Sequence, residues 1–207
     1  IVLPTGIFLT VRSPQDETET SVRRIKVRTL DLTKIDRINT FSRALAAHPV
    51  SPEEAFRQLE AIKATRKYPA WLRFICASKV TFAYALLFGG SLKDALSVLG
   101  IGAVVHLLNL TMVRSGYLPF LNNFAVGFVC SFLSLLSPLV VSGTQVYIMI
   151  ISSVMLYLPG MAMTNGVRDL LAGDLVSGLT RLGEAVLTVL AIGLGAGLAI
   201  SVVPRLV

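Results

Sequence analysis

The chain has 207 residues, of which 54% are hydrophobic and 15% charged, with a formal net charge of +7 and a mean hydropathy of +0.72. This composition is far more apolar than that of an average soluble domain, so it excludes the ordinary soluble class and indicates a membrane protein. Residues 1–73 hold thirteen Lys and Arg against eight acids, whereas the remaining 134 residues hold six against four. We therefore expect a polar amino-terminal part followed by a membrane part.

The first predicted element is a β-hairpin. Residues 1–13 and 21–28 alternate or cluster β-branched side chains around a polar turn at 14–20. A chain that opens inside a strand also suggests that an upstream element precedes it.

Two helices are predicted next, completing a small α+β domain over residues 1–68. The apolar stripe of the first helix is formed by Leu32, Ile35, Ile38 and Phe41. The second helix is predicted to begin after Ser51, with Pro52 at its first position and Glu54 completing a capping box.

Five apolar segments then approach the 20 or so residues that a helix needs to cross about 30 Å of hydrocarbon. They predict an α-helical transmembrane domain over residues 69–207, with spans at 71–87, 92–113, 120–139, 144–158 and 182–203. Turn residues separate the segments. The fourth segment is short and ends at Pro159 and Gly160, so we expect a broken, polar-faced segment between the fourth and fifth spans.

Basic residues concentrated before the first span predict a cytoplasmic amino terminus. Alternating sides from there puts Arg114, Arg168 and Arg181 inside and leaves Lys93 and Arg205 as exceptions to the positive-inside rule. We expect a multi-pass protein of the cell inner membrane. Anionic lipid headgroups are the expected partners of the cytoplasmic basic surface, in preference to nucleic acid.

Several chemistries are not predicted. The glycine pair followed by Lys93 lacks P-loop spacing, so nucleotide-driven work is not expected. The sequence has only two histidines, His48 and His106, and its cysteines are not clustered. No structural zinc or other cofactor is therefore expected. Cys76 and Cys130 both lie in apolar segments and are predicted to be reduced, packed thiols.

The strongest candidate site follows the break at residues 159 and 160. At 100° per residue, one side of the following helix collects Thr164, Asn165, Arg168 and Asp169. A guanidinium can hold a carboxylate through two parallel hydrogen bonds, and a helix that begins near Gly160 points backbone N–H groups at an anion. The alternative is a solvated helix in a cytoplasmic loop.

Other polar residues in the apolar half are weaker candidates. Lys79 lies about 12 Å into the first span, where snorkelling to the surface is the favoured alternative. Gly102, His106 and Asn109 share a stripe on the second span. That stripe fits either a pathway lining or, preferably, hydrogen bonding between helices.

The last span contains a possible ion pair and a glycine face. Arg181 and Glu184 are three residues apart and can pair locally, and Glu184 is a candidate for proton coupling if it is buried. Gly193 and Gly197 form a small-xxx-small face with Gly195 and Ala199 nearby, which would let another helix approach closely.

Four motifs, in this order along the chain, resemble the threonine/serine exporter family. They are IVLPTGIFLTV, RKYPAWL, LLFGGSLKDA and LPGMAMTNGVRDLLAGDLVSGLTRLGEA. The resemblance covers nearly the whole chain. It implies a cytoplasmic amino-terminal domain, a five-helix membrane half, and export of hydroxy amino acids or of dicarboxylates such as succinate, driven by an ion or proton gradient.

The family pattern falls on individual residues of this sequence. Pro159 and Gly160 match its break, Asn165 its polar position, Asp169 its acid, and Gly173 and Gly178 its glycines. Long members of the family carry a second five-helix half, which short members obtain from a separate small membrane subunit. An odd number of crossings inverts the half that follows, as in transporters built from inverted repeats. We therefore expect a second half or small multi-span subunit as partner or, failing that, a homo-oligomer.

Two other classes of protein remain open. A membrane-embedded enzyme acting on lipid would need a nucleophile and base facing one leaflet, and no such set is evident from the sequence. A membrane-anchored cytoplasmic regulator would function without the polar residues of the membrane half. A secondary transporter rather than an enzyme is the favoured prediction.

Overall fold

Among the residues that the structure describes, antiparallel strands and two helices form the first part of the chain, and six helices form the second. The computed structural model describes residues 2–3, 6–12, 18–25, 31–65 and 68–202. The chain divides into two compact units, Ile1–Pro69 and Ala70–Val207.

The amino-terminal unit contains a three-stranded antiparallel sheet. Its strands are β1 (Val2–Leu3), β2 (Gly6–Arg12) and β3 (Thr18–Arg24), in the order β1-β2-β3. The predicted strand pair is therefore present as β2 and β3, with Gly6 opposite Arg24. Strand β3 begins three residues earlier than predicted. Residues 14–17 of the predicted turn and residues 26–28 of the predicted second strand lie outside the described residues.

Helices α1 (Leu32–Ala47) and α2 (Pro52–Lys63) complete this unit. The predicted apolar stripe of α1 is largely open to the surface, because Leu32, Ile35 and Ile38 are all exposed. No residue of these two described helices is buried. Their amphipathic faces therefore have little cover within the described part of the unit.

The start of α2 differs in one detail from the predicted capping box. The Ser51 hydroxyl accepts a hydrogen bond from the Glu54 backbone N–H at 3.3 Å, as expected of an N-cap. The Glu54 carboxylate, however, accepts hydrogen bonds from the side chains of Gln58 and Arg57. These two bonds hold the pKa of the Glu54 carboxyl below its ordinary value.

The second unit consists of six helices joined by short turns. They are α3 (Ala70–Leu87), α4 (Leu92–Arg114), α5 (Pro119–Val140), α6 (Val146–Met155), α7 (Gly160–Leu171) and α8 (Leu175–Val202). Helices α3, α4, α5 and α8 are each long and apolar enough to cross a membrane. Helices α6 and α7 pass the same test only as a pair, bent by 61° at the break between them.

The fourth and fifth predicted spans differ from the observed helices. Helix α6 has ten residues and is therefore about 15 Å long, half the thickness of the hydrocarbon core. Helix α8 begins at residue 175, seven residues before the predicted span, because Asp174 caps it by accepting from the Ser177 backbone N–H at 3.2 Å. Charge at Arg181 and Glu184 marks the edge of the apolar segment but does not end the helix.

Small residues let α5 and α8 pack backbone against backbone. A Cβ atom added to Gly127 would collide with the backbone of Ile192, and one added to Gly195 would collide with the backbone of Phe124. The central apolar cluster of the unit lies beside this contact and includes Val98, Val105, Val126, Met149 and Ile192.

The small-residue face predicted on α8 is centred on the wrong pair of glycines, although Gly195 and Ala199, which were predicted beside that pair, are buried. Gly193 and Gly197 have open space where a side chain would begin. The buried stripe is instead Ala191, Gly195 and Ala199, which lies on a different side of the same helix.

The two cysteines also differ from one another. Both are free thiols, and Cys130 is buried as predicted. Cys76 is exposed on α3, so the expectation that it packs inside the protein is wrong.

Candidate functional site

The break between α6 and α7 lies against the core of the membrane unit. Tyr157 packs beside the central apolar cluster, and its backbone N–H bonds to the Val154 carbonyl at 2.9 Å. Pro159 follows two residues later and has no N–H with which to continue the helical ladder. Gly160 then begins α7 without a side-chain cap. The bend of 61° is therefore located where the backbone has lost its regular hydrogen bonds.

A tight turn reverses the chain after α7. Gly173 has a φ of +87°, in the left-handed region that favours glycine. The Asp174 N–H bonds to the Asp169 carbonyl at 2.9 Å and the Gly173 N–H to the Leu170 carbonyl at 3.0 Å, a Schellman-type ending. Helices α7 and α8 therefore form a helical hairpin.

Two glycines bring these helices into close contact. A Cβ atom added to Gly166 would lie 3.2 Å from the Gly178 carbonyl oxygen, and one added to Gly178 would lie 2.9 Å from the Gly166 carbonyl oxygen. The structure thus places Gly173 in the turn and Gly178 at the helix crossing. Both positions have a structural reason to be glycine.

The acid of the polar face pairs across this hairpin. Asp169 Oδ2 lies 3.0 Å from Arg181 Nε, and the two side chains are 21% and 42% exposed. The pair is ionic and lacks hydrogen-bond geometry, since the buried Nε has no hydrogen-bond partner among the described residues. The spacing of three residues had predicted a local pair of Arg181 with Glu184 instead. The structure adds Arg181 to the candidate site.

The other polar residues of α7 remain accessible. Arg168 and Thr164 are exposed and Asn165 is half-buried. Within the described ranges, the Arg168 guanidinium has neither an ion pair nor a hydrogen-bond partner. Because Arg181 balances the charge of Asp169, Arg168 supplies the net positive charge of this face.

The two predicted anion-binding features of α7 are separate. Arg168 lies eight residues after Gly160, which is about 12 Å along a helix. Arg168 and the start of α7 therefore define two positions, with Asn165 between them.

The predicted stripe on α4 is occupied by contacts between helices. Asn109 accepts a hydrogen bond from the Asn122 side chain of α5 at 2.8 Å. The His106 ring lies 6.2 Å from the Phe74 ring of α3, and its buried Nε2 has no partner among the described residues. Gly102 leaves room for Thr81. These contacts fit the packing interpretation of the stripe.

Lys79 and Glu184 both lie on the outside of the unit. Lys79 is exposed on α3, as snorkelling requires, and Glu184 is exposed on α8. The burial on which the proton-coupling role of Glu184 depended is therefore not present within this chain.

Sequence analysis did not select Asp94 as a site residue. This carboxylate is fully buried. Its Oδ1 accepts from the Gln145 backbone N–H at 2.6 Å, and its Oδ2 accepts from the Ser91 backbone N–H and hydroxyl, each at 2.7 Å. It therefore joins the start of α4 to the start of α6. The Ser-x-x-Asp spacing of a capping box was available as a signal, although the link to Gln145 was not.

Four described helices that are long and apolar enough to cross a membrane, together with a bent helix pair, indicate a multi-pass membrane protein. A model of the family described as "Putative threonine/serine exporter" matches residues 1–203. The chain belongs to this family, which confirms the resemblance seen in its motifs.

Two curated relatives are much longer than this chain. The chain is 29% identical over 178 residues to "Pheromone-regulated membrane protein 10" of Eremothecium gossypii, an alignment that covers 80% of the chain and 23% of the relative. It is 22% identical over 184 residues to "Probable threonine/serine exporter" of Mycobacterium tuberculosis, covering 88% of the chain and 34% of the relative. The chain thus spans about a quarter to a third of these proteins. No solved structure matches it.

Proposed function

We propose that this chain is one membrane half of a secondary exporter for small carboxylate-bearing metabolites, either threonine and serine or a dicarboxylate such as succinate. The observation that carries the proposal is the unbalanced guanidinium of Arg168 on the polar face of α7, about two helical turns after the break, in a largely apolar unit. Membership of the threonine/serine exporter family and the printed name of the mycobacterial relative support it.

Each polar residue of α7 has a distinct role in this proposal. Arg168 binds the substrate carboxylate through paired, charge-assisted hydrogen bonds. Asn165 lies three residues earlier on the same face and hydrogen-bonds the other polar end of the substrate, with Thr164 at the margin. Asp169 and Arg181 hold this face in position against α8.

The bent pair α6–α7 is the element that moves. Asp94 holds its first end through the Gln145 N–H, and the Asp169–Arg181 pair holds its last end. Between these anchors, Pro159 and Gly160 interrupt the helix. Secondary transporters commonly bind substrate at such discontinuous helices, and alternating access would change the bend between the two anchors.

The proposal includes a partner and an orientation. The described helices provide at most five crossings, so a pathway needs a second half to enclose it. A small membrane subunit or another transporter half would supply that half, with a homo-oligomer as the alternative. The basic residues before α3 favour a protein of the cell inner membrane whose amino terminus is cytoplasmic.

In this proposal, a gradient of ions or protons drives export.

Efflux from liposomes that contain the chain and its partner half would test this function. Threonine, serine and succinate should each be measured, with and without an imposed gradient. Because hydrogen bonds to charged groups contribute about 1.5–3 kcal/mol, Arg168→Gln should lower efflux of the true substrate about tenfold or more. Arg114→Gln is the matched control, because Arg114 is also an exposed arginine near a helix end, and it should keep transport.

One result would end the site assignment. If an Arg168→Ala, Asp169→Ala double mutant transports fully, the polar face of α7 does not bind substrate. If, in addition, no gradient-dependent efflux of any of the three solutes occurs, a membrane-anchored regulator becomes the better description.

A further inference from the structure

An open apolar groove lies between α4 and α5, away from the face of α7. Its volume is about 510 Å³, within the range of sites that hold small organic ligands. The lining is chiefly apolar and includes Gly100, Ile101 and Val104 of α4 and Leu133, Leu136 and Val140 of α5.

A lysine lies at one end of this groove. Lys93 is four residues before Ser97 and seven before Gly100, so it shares their face of α4. Its Nζ lies 3.4 Å from the carbonyl oxygen of Ser142, the residue that follows Val141 on the opposite wall. The ammonium group therefore stands where the two walls of the groove meet the surface.

The charge of Lys93 remains available to a ligand. Its side chain is exposed, and an ammonium group has three donors, of which the long contact to Ser142 uses one. The neighbouring carboxylate of Asp94 is buried in the turn and accepts from Ser91 and Gln145. Lys93 is also one of the two exceptions to the positive-inside rule, and binding an anion at that surface explains why a basic residue lies there.

We propose that this groove binds one acyl chain of an anionic phospholipid, whose phosphate group contacts Lys93. An apolar trough that ends in a single exposed cation matches the apolar tail and charged head of such a lipid. The acyl chain alone gives little selectivity, because the surrounding bilayer is equally apolar. The lysine therefore supplies the preference for an anionic headgroup, which amounts to about fivefold for one basic residue near the surface.

Thermal unfolding of the purified chain in detergent tests the proposal when phosphatidylglycerol or phosphatidylcholine is titrated in. Phosphatidylglycerol should stabilise the protein with an apparent affinity about fivefold higher than that of phosphatidylcholine. Native mass spectrometry should show one phosphatidylglycerol retained per chain.

Two variants address the two parts of the site. Lys93→Gln removes the cation without changing the groove, so it should remove the fivefold preference that this site adds to the attraction of anionic lipid by the basic amino-terminal part. Gly100→Leu should abolish the stabilisation by both, because a Cβ atom there meets no other atom within 4 Å and the leucine side chain would extend into the groove. Gly193→Leu is the matched control on α8, where a Cβ also meets open space, and it should respond as the unmodified chain does.

Several outcomes would overturn the proposal. Equal responses of the unmodified chain to the two lipids, or an undiminished preference in Lys93→Gln, would show that Lys93 does not bind the headgroup. Unchanged lipid binding by Gly100→Leu would place the lipid elsewhere. A lipid-independent change from dimer to monomer in Gly100→Leu would instead assign the groove to a second copy of the chain.

Discussion

At the scale of single residues, charges join helices that are distant in sequence or separated by a turn. Asp169 and Arg181 lie twelve residues apart and meet across the α7–α8 hairpin. Asp94 and Gln145 are 51 residues apart and meet at the starts of α4 and α6. The two contacts differ in burial, so we expect them to differ in their contributions to stability.

The Asp169–Arg181 pair should contribute modestly. Because both side chains are partly exposed, we expect a coupling free energy of about 0.2–1 kcal/mol. A double-mutant cycle with Asp169→Ala and Arg181→Ala, measured by unfolding in detergent, gives this value. The charge-swapped variant Asp169→Arg, Arg181→Asp should recover part of the lost stability, and strictly additive effects with no recovery would contradict the pair.

We expect Asp94 to contribute more to the stability of the fold than the Asp169–Arg181 pair does. Asp94→Ala removes the acceptor for three hydrogen bonds and leaves the Gln145 N–H without its partner, which we expect to cost at least about 1–3 kcal/mol. Asp174→Ala is the comparison, because Asp174 is exposed and caps α8 through one side-chain bond, a loss of about 1 kcal/mol. Thermal unfolding of the two variants in the same detergent measures the difference, and equal losses would show that Asp94 acts only as a cap.

At the scale of elements, the packing of α8 on α5 depends on which glycines face inward. Gly195→Ala should destabilise the unit by about 1–3 kcal/mol, because the new methyl group collides with the Phe124 backbone. Gly193→Ala meets open space and should stabilise the helix by about 0.5–1 kcal/mol. Unfolding midpoints of the two single variants provide the measurement. Similar effects of the two substitutions would contradict the packing of α8 described above.

At the scale of the whole molecule, the bend between α6 and α7 decides the number of crossings. A bend of 61° is less than a right angle, so we expect α7 to continue towards the membrane surface that α6 approaches, giving five crossings. Single cysteines at Ser115, Ser142 and Ala172, in a background without the two native thiols, should be labelled with a membrane-impermeant reagent from each side. Ala172 should be labelled from the same side as Ser115, and labelling from the side of Ser142 would instead show a re-entrant loop and four crossings.

The bounds of some membrane helices could be predicted from the sequence, and those of others could not. The bounds of α3, α4 and α5 agree with the predicted spans to within one residue, because a long apolar run identifies such a helix without reference to its neighbours. Helices α6 and α8 agree less well. The predicted fourth span merged α6 with the residues of the break, and the polar first turns of α8 did not look like part of a span.

The candidate site was predictable in part, because one of its features depends only on a local run of residues. The polar side of α7 follows from the helical period alone. The partner of Asp169 does not, because Asp169 lies four residues before the turn at Gly173 and Arg181 eight residues after it, so the pairing depends on how the two helices cross.

The sequence by itself determined the membrane class, the family and the position of the helix break, because each of these depends on composition or on a local run of residues. Only the tertiary structure decided that Arg181 balances Asp169, that Asp94 holds the start of α6, and that Gly195 rather than Gly193 faces α5. The physical reason is that such contacts depend on the rotation and register of two helices relative to each other. Those quantities are set by packing over the whole unit, and the period of a single helix does not contain them.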